Sequence, residues 1–420
     1  MIAYRSNQVR TLLLYAQDSR GLGHITRTLA ITRHVLDAYP DLVGYICTRS
    51  DFAHTYTLPA RCDYVKLPSR QTPKHIERPP DDDEISKAHF RTLRGTILKD
   101  AALGLAPDLV LVDHEPLGTN GEFKAGLWAL KQESPHTKFV FGLRDIMDDP
   151  DRIRAEWREL GVYEALEHLY DGIAVYGSPN LFDPADAYDM SESVRRKLHY
   201  CGYVVRDPPG ADAAAMRRQY GFPEQGPVVL ATVGSGYDGY PVLDAALSAL
   251  ERMKAKRPAL HAILVTGPFM PPDEQATLQA RANGFCRVVT TADTFQLMSD
   301  VDAIVSMGGY NSVCEALAVG RPLVIVPRAT HKVEQKIRAE LLVGQGLAKC
   351  VLPQALTADS VEDALDWALA RDRTAHAQRV REVVPAFDGA VRLTAYLTRW
   401  LGQPQPAPPL ADADAVQAVA

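Results

Sequence analysis

Val305-Ser306-Met307-Gly308-Gly309-Tyr310-Asn311-Ser312-Val313-Cys314-Glu315-Ala316-Leu317 runs from a short apolar strand, through a glycine pair, into an amphipathic helix. Paired glycines permit a tight turn and a close approach of backbone to ligand. A helix opening above a strand end presents free N–H groups and the positive end of its dipole, which suits a phosphate. Asn311 and Ser312 are residue types that cap such a helix. Glu315 stands one turn further in, within reach of a ribose. The stretch therefore reads as one strand–turn–helix unit of a parallel α/β sheet with an anion-binding edge.

Working outward, short apolar runs at 228–233, 262–266, 287–290, 303–306 and 323–327 alternate with helical patterns. A second series, at 12–16, 42–47, 109–112, 139–143 and 173–176, does the same nearer the N-terminus. Strands covered by helices on both faces lose their polar alternation, so each series implies a Rossmann-like domain. Between them, Val204-Val205-Arg206-Asp207-Pro208-Pro209-Gly210 interrupts regular structure and marks the boundary. The expected organisation is an N-terminal domain over 1–204, a C-terminal domain over 205–385, a helix over 386–402 crossing back to the first domain, and a disordered tail over 403–420. The polar segment 69–94, with Asp81, Asp82 and Asp83, reads as a surface loop running into a helix.

The 420 residues are 46% hydrophobic with a net charge of -6, which argues for two globular domains and against nucleic acid as a partner. Cys47, Cys62, Cys201, Cys286, Cys314 and Cys350 form no CxxC pair and read as reduced, buried small hydrophobes. The N-terminus fits neither a signal peptide nor a spanning helix, so the cytoplasm is the expected location and no integral membrane segment is expected.

A second glycine turn, Gly21-Leu22-Gly23-His24-Ile25-Thr26-Arg27, follows the first strand. It departs from a dinucleotide fingerprint because Thr26 stands where the third glycine would be, and no acidic residue follows the next strand at Cys47-Thr48-Arg49. Asp113, His114 and Glu115 follow the run 109–112, placing them at the carboxyl edge of the same sheet. His24, with an ordinary pKa near ~6.5, suits a general base, and a carboxylate beside it would orient it or act as the base itself. His24, Asp113 and Glu115 are the candidates. Arg144 and Asp145 end another run, where a local ion pair is one reading.

Gly320-Arg321-Pro322-Leu323-Val324-Ile325-Val326-Pro327-Arg328, followed by Glu334-Gln335, completes a pattern that begins at Gly308. Here the chain resembles the C-terminal domain of the family that contains the bacterial UDP-GlcNAc transferase forming lipid II, and more distantly plant glycosyltransferases. The N-terminal GLGHxxR loop and Gly142-Leu143-Arg144-Asp145-Ile146 resemble a group of predicted bacterial glycosyltransferases. The resemblance implies the GT-B architecture, two Rossmann-like domains facing a cleft. It implies that Glu315 holds the ribose and that Glu334 and Gln335 hold sugar hydroxyls. Gly234, Ser235 and Gly236 look like the phosphate loop, with Gly308, Gly309, Asn311 and Ser312 opposite. Gly21 and Gly23 match the N-terminal loop, Arg206 a linker arginine near the diphosphate, and Phe295 the segment that reads the base.

The implied reaction is transfer of a sugar from a nucleotide-diphosphate donor, with a UDP-sugar favoured, to a small soluble acceptor, with inversion. No DxD pair follows a strand in the donor half, so no metal or other cofactor is expected. A non-hydrolysing nucleotide-sugar epimerase and a non-catalytic nucleotide-sugar-binding homologue are the alternatives.

Overall fold

The structure, a computed structural model, describes residues 9–16, 23–50, 53–69, 80–207, 210–328 and 333–404. The first half of the chain supplies β1 (Arg10–Ala16), β2 (Leu42–Thr48), β3 (Cys62–Lys66), β4 (Leu109–Asp113), β5 (Lys138–Arg144), β6 (Gly172–Tyr176) and β7 (Leu198–Tyr200). They form one parallel sheet in the order β3-β2-β1-β4-β5-β6-β7. The second half supplies β8 (Val228–Thr232), β9 (His261–Val265), β10 (Cys286–Val289), β11 (Ala303–Ser306), β12 (Leu323–Ile325) and β13 (Ala348–Cys350), in the order β10-β9-β8-β11-β12-β13.

The strands legible as apolar runs are the central ones. β4, β6, β8 and β9 are buried along their whole length because helices cover both faces. The strands that escaped the sequence reading, β3, β7 and β13, lie at sheet edges and are largely half-exposed. Cys62 and Cys350 sit on two of these edges and are half-buried, contrary to expectation, while the other four thiols are buried.

Two further expectations change. A helix spans Pro80–Leu105, so Asp81, Asp82 and Asp83 lie in its first turn rather than in a loop. Proline at the first position and acids in the first turn are themselves helix-start signals. Residues 70–79 of that segment lie outside the described residues, as do Pro208, Pro209 and 405–420 of the tail. Asn311 and Ser312 do not cap the helix Tyr310–Ala318: its N-cap is Gly309, which has no side chain to spare.

In each sheet the strand order reverses between two neighbours, β1 beside β4 and β8 beside β11. Ala16 pairs with Asp113 at the carboxyl end of the first junction, and Thr232 with Ser306 at the second. Loops leaving such a junction diverge to opposite faces and open a crevice.

The two sheets are joined by more than a linker. One apolar core cluster is continuous from Leu12, Ile25 and Leu29 to Val313, Cys314 and Leu397. The last helix, Gly389–Leu401, packs on the first, Gly23–Ala38. Arg10 Nη1 donates to the Leu401 carbonyl at 2.5 Å, and the Tyr39 hydroxyl donates to the Gly402 carbonyl at 2.8 Å.

Candidate active site

A cleft of about 670 Å³ lies between the two junctions and is lined from both domains. That size suits a small-molecule site.

The N-terminal wall carries charge. Gly23–Ala38 begins its helix immediately after the glycine turn, which sets His24 and Arg27 one turn apart on the face toward β4. Asp113, 2% exposed, accepts from Arg27 Nε at 3.1 Å and Nη2 at 2.6 Å, and lies 2.9 Å from His24 Nδ1. Burial alone would raise the Asp113 carboxyl, but the Arg27 charge and the His24 hydrogen bond outweigh it and hold the pKa down to about 2. An ionised carboxylate only accepts, so His24 Nδ1 carries the hydrogen and donates to it. Arg27 Nη2 also approaches Nδ1, at 2.9 Å, but two donors cannot bond, and its hydrogen is satisfied by Asp113. Nε2 is therefore the bare, basic nitrogen of His24.

The His24 side chain keeps 18% exposure at the cleft. Burial, aided by the positive charges of Arg27 and Arg144 and opposed by Asp113, brings its pKa down to about 4. The ring is thus neutral at physiological pH. The His114 ring lies beside it, tilted by 34° with centroids 4.8 Å apart. His114 itself is buried in the left-handed region at φ 67°, where its N–H donates to the Gly142 carbonyl at 2.8 Å. Backbone held in this sparsely populated region is a mark of functional sites. Glu115, the third candidate base, is half-buried and lies outside the cleft wall.

The C-terminal wall is made of small residues and helix starts. Gly234 (φ 64°) and Gly236 (φ 89°) turn the loop after β8. A Cβ on Gly236 would stand 2.1 Å from the Thr266 carbonyl, whereas one on Gly234 would meet nothing within 4 Å. Gly236 is therefore demanded by packing, and Gly234 and Ser235 form the exposed lip of the cleft. Across the junction, Gly308 is buried with φ 76°, and its carbonyl accepts from Arg338 Nη1 at 3.0 Å. Gly309, Asn311 and Ser312 face the cleft. Asn311 Nδ2 also donates to the Gly23 carbonyl of the other domain at 3.1 Å.

Glu315 lines the cleft and receives Arg206 Nε at 3.2 Å, while Arg206 Nη2 donates to Asp293 at 3.0 Å. Burial raises the Glu315 pKa against the pull of Arg206. The Phe295 ring is 1% exposed in the core, 5.4 Å beneath the Arg206 guanidinium, so only the backbone of its segment is left to meet a ligand. The preceding residues, from Thr290 to Thr294, line the cleft instead. Gln335 is 6% exposed, and its Oε1 accepts the Arg328 N–H at 2.9 Å, fixing the amide against the wall. Glu334 begins the helix Glu334–Gly344 and is paired with Arg144 of the first domain. Gly21 lies outside the described residues.

Arg144 and Asp145 do not pair with each other, as the sequence had allowed. Asp145, fully buried, receives the Tyr203 hydroxyl at 3.0 Å and Arg338 Nη2 at 3.4 Å. Tyr310 lies between two guanidiniums, Arg27 at 5.2 Å and Arg338 at 5.7 Å from its ring centre, and its hydroxyl donates to the Tyr176 carbonyl at 2.9 Å. Sequence reasoning gave no role to Arg27, Tyr310 or Arg338. Only Arg27 left a signal, its spacing of three from His24 at a helix start.

Facing Rossmann-like sheets with a charged N-terminal wall and a glycine-rich C-terminal wall define the GT-B class. Residues 228–389 match the glycosyltransferase family 28 C-terminal domain. An uncharacterized glycosyltransferase of Methanopyrus kandleri is 25% identical over 215 residues, 50% of this chain and 58% of the relative. An uncharacterized glycosyltransferase of Methanosarcina acetivorans is 22% identical over 91% of this chain and 97% of its own length. Among solved structures, Phytolacca americana UGT2 complexed with UDP-2fluoro-glucose and pterostilbene shares the fold at TM-score 0.65 and 14% identity, covering 94% of this chain and 99% of its own. No helix among the described residues is long and apolar enough to cross a membrane.

Proposed function

We propose that the protein transfers a sugar from a nucleotide-diphosphate donor, with a UDP-sugar favoured, to a small soluble acceptor by a single inverting displacement. The observation that carries this reading is the opposition of two half-sites. His24, held through Nδ1 by Asp113, lines the cleft from one domain, and Ser235, Gly309 and Glu315 line it from the other.

Each half supplies what the reaction needs. The acceptor hydroxyl must lose its proton as it attacks, and neutral His24, oriented by Asp113, takes it. Asp113 is the positioning carboxylate, because Arg27 and His24 occupy its oxygens. The leaving diphosphate must be stabilised. The helix start at Gly309, the loop at Ser235 and the Arg206 guanidinium perform this without requiring a metal. Glu315 receives the ribose hydroxyls, and Glu334 and Gln335 receive those of the sugar. The UDP ligand in the Phytolacca americana structure supports the choice of base.

The epimerase alternative requires acids and bases around the sugar ring. Asp145 is committed to Arg338 and Tyr203, and Glu115 stands outside the cleft wall, so the arrangement favours transfer.

The test is a calorimetric titration of EDTA-treated protein with UDP, GDP, dTDP and NAD. Binding of one nucleoside diphosphate without added metal is the expected result and identifies the base. Binding of NAD alone, or of none of the four, overturns the donor-site reading.

A further inference from the structure

The loop after β5 grips the start of the Glu334–Gly344 helix at three points. Arg144 pairs with Glu334, the first residue of that helix. Asp148, 3% exposed, accepts the Val333 N–H at 2.8 Å. Asp145 pairs with Arg338, one turn further along. A loop of the first domain thus holds the segment of the second domain that carries Glu334 and Gln335.

Within this clasp Arg144 differs from its neighbours. Asp145 and Arg338 are buried away from the cleft, whereas Arg144 lines it while remaining only 7% exposed. Its ion-pair partner is Glu334, while Asp145 and Asp113 act on its charge from further off, and its Nε–H has no hydrogen-bond partner among the described residues. Burial above all, with the guanidiniums of Arg338 and Arg27, lowers its pKa to about 10 against the opposing charges of Asp145 and Asp113.

We propose that Arg144 is a sugar-positioning residue contributed across the cleft: paired with Glu334, it holds that carboxylate in place for the hydroxyls of the transferred sugar. The proposal rests on the donor-site reading above and deepens it. It makes recognition of the sugar dependent on both domains, while recognition of the nucleotide depends on the second alone. A donor with its sugar removed should therefore be indifferent to Arg144.

The experiment compares, by titration calorimetry, the affinity for a nucleoside diphosphate with that for the corresponding nucleotide sugar, in the wild type, Arg144→Met, Arg144→Lys and Glu334→Gln. Thermal melting of each variant checks folding. Arg144→Met is expected to bind the nucleoside diphosphate within about twofold of wild type, yet to bind the nucleotide sugar about tenfold or more weakly, the scale of a lost charge-assisted hydrogen bond. Arg144→Lys recovers part of that loss because it restores the charge without the planar fork. Equal losses for both ligands, or no loss for either, overturn the proposal. Should Arg144→Met not fold, Glu334→Gln breaks the same pair with little change of shape and is expected to weaken the nucleotide sugar alone. Failure of the wild type to bind any nucleoside diphosphate removes the donor reading, and this proposal with it. Normal diphosphate binding with an unchanged sugar increment removes only the role of Arg144.

Discussion

The two switch points share a topology and differ in chemistry. Where β1 meets β4, charged side chains gather: Asp113 at the strand end accepts from both Arg27 and His24 of the helix that follows β1, beside the cleft. Where β8 meets β11, the strand ends carry Gly234, Ser235, Gly308 and Gly309, small residues that leave room at the cleft; the Gly308 N–H is donated to Ser306 Oγ at 3.1 Å, and the proposed diphosphate contacts fall to the loop at Ser235 and the helix start at Gly309. A proton acceptor has to be a side chain with a tuned pKa, so the first junction surrenders space to side chains. A diphosphate is large and is best met by preorganised dipoles at close range, so the second junction removes side chains instead. On the proposed reading, one fold serves two halves of one reaction.

The sharpest way to break the contrast is His24→Ala. It is expected to lower turnover by about 10²- to 10⁴-fold while leaving nucleoside diphosphate affinity nearly intact, as read by a transfer assay beside calorimetry. Normal turnover in that variant would move the base to Asp113 or Glu115.

Between the junctions, Asp145→Ala strips the partner from buried Arg338 and is expected to cost about 3–5 kcal/mol of stability, seen as a drop in the denaturant midpoint. On the donor side, Glu315→Ala should weaken nucleoside diphosphate binding by about 10- to 100-fold, the mirror image of the His24 result.

The glycines sharpen the comparison further. Gly236→Ala should destabilise the fold by about 1–3 kcal/mol, since its φ is 89° and its Cβ would strike the Thr266 carbonyl. Gly309→Ala should change stability by less than about 0.5 kcal/mol, since its φ is -60° and a Cβ meets nothing within 4 Å, yet it fills space intended for the donor. Calorimetry and melting together separate the two outcomes.

The smallest effect concerns pH. With His24 at about 4 in the folded protein, turnover should stay flat from neutrality to near pH 5 and fall as pH drops through about 4. The unfolded chain, with an ordinary histidine pKa of about 6.5, binds more protons between these values. The contribution of His24 to stability is therefore full above about pH 6.5 and is lost as pH falls toward 4. A midpoint-versus-pH series checks the sign.

Much of this was legible in one dimension. The buried central strands announce themselves as apolar runs, because burial on both faces leaves no polar alternation. The glycine turns at Gly23, Gly234 and Gly308 mark their junctions, because a turn that places backbone beside a ligand tolerates little else. His24 and Asp113 stood out as residues following strands, where parallel sheets bind ligands. The edge strands β3, β7 and β13 did not, since half-exposed segments of three to five residues carry no distinctive pattern.

What remained hidden, beyond the pairing of His24 with a strand-end carboxylate, are the contacts between residues far apart in sequence. Nothing in the order of residues pairs Arg144 with Glu334, Asp145 with Arg338, or Asn311 with Gly23, and the local readings of Arg144 beside Asp145 and of Asn311 as a cap both failed. Side-chain partners are set by which elements face each other once two separately folded sheets close on a cleft. Local sequence determines strand, turn and helix through short-range sterics and periodic burial. Only the packing of the two domains selects which charges meet, because buried charges must find partners wherever the fold brings them together.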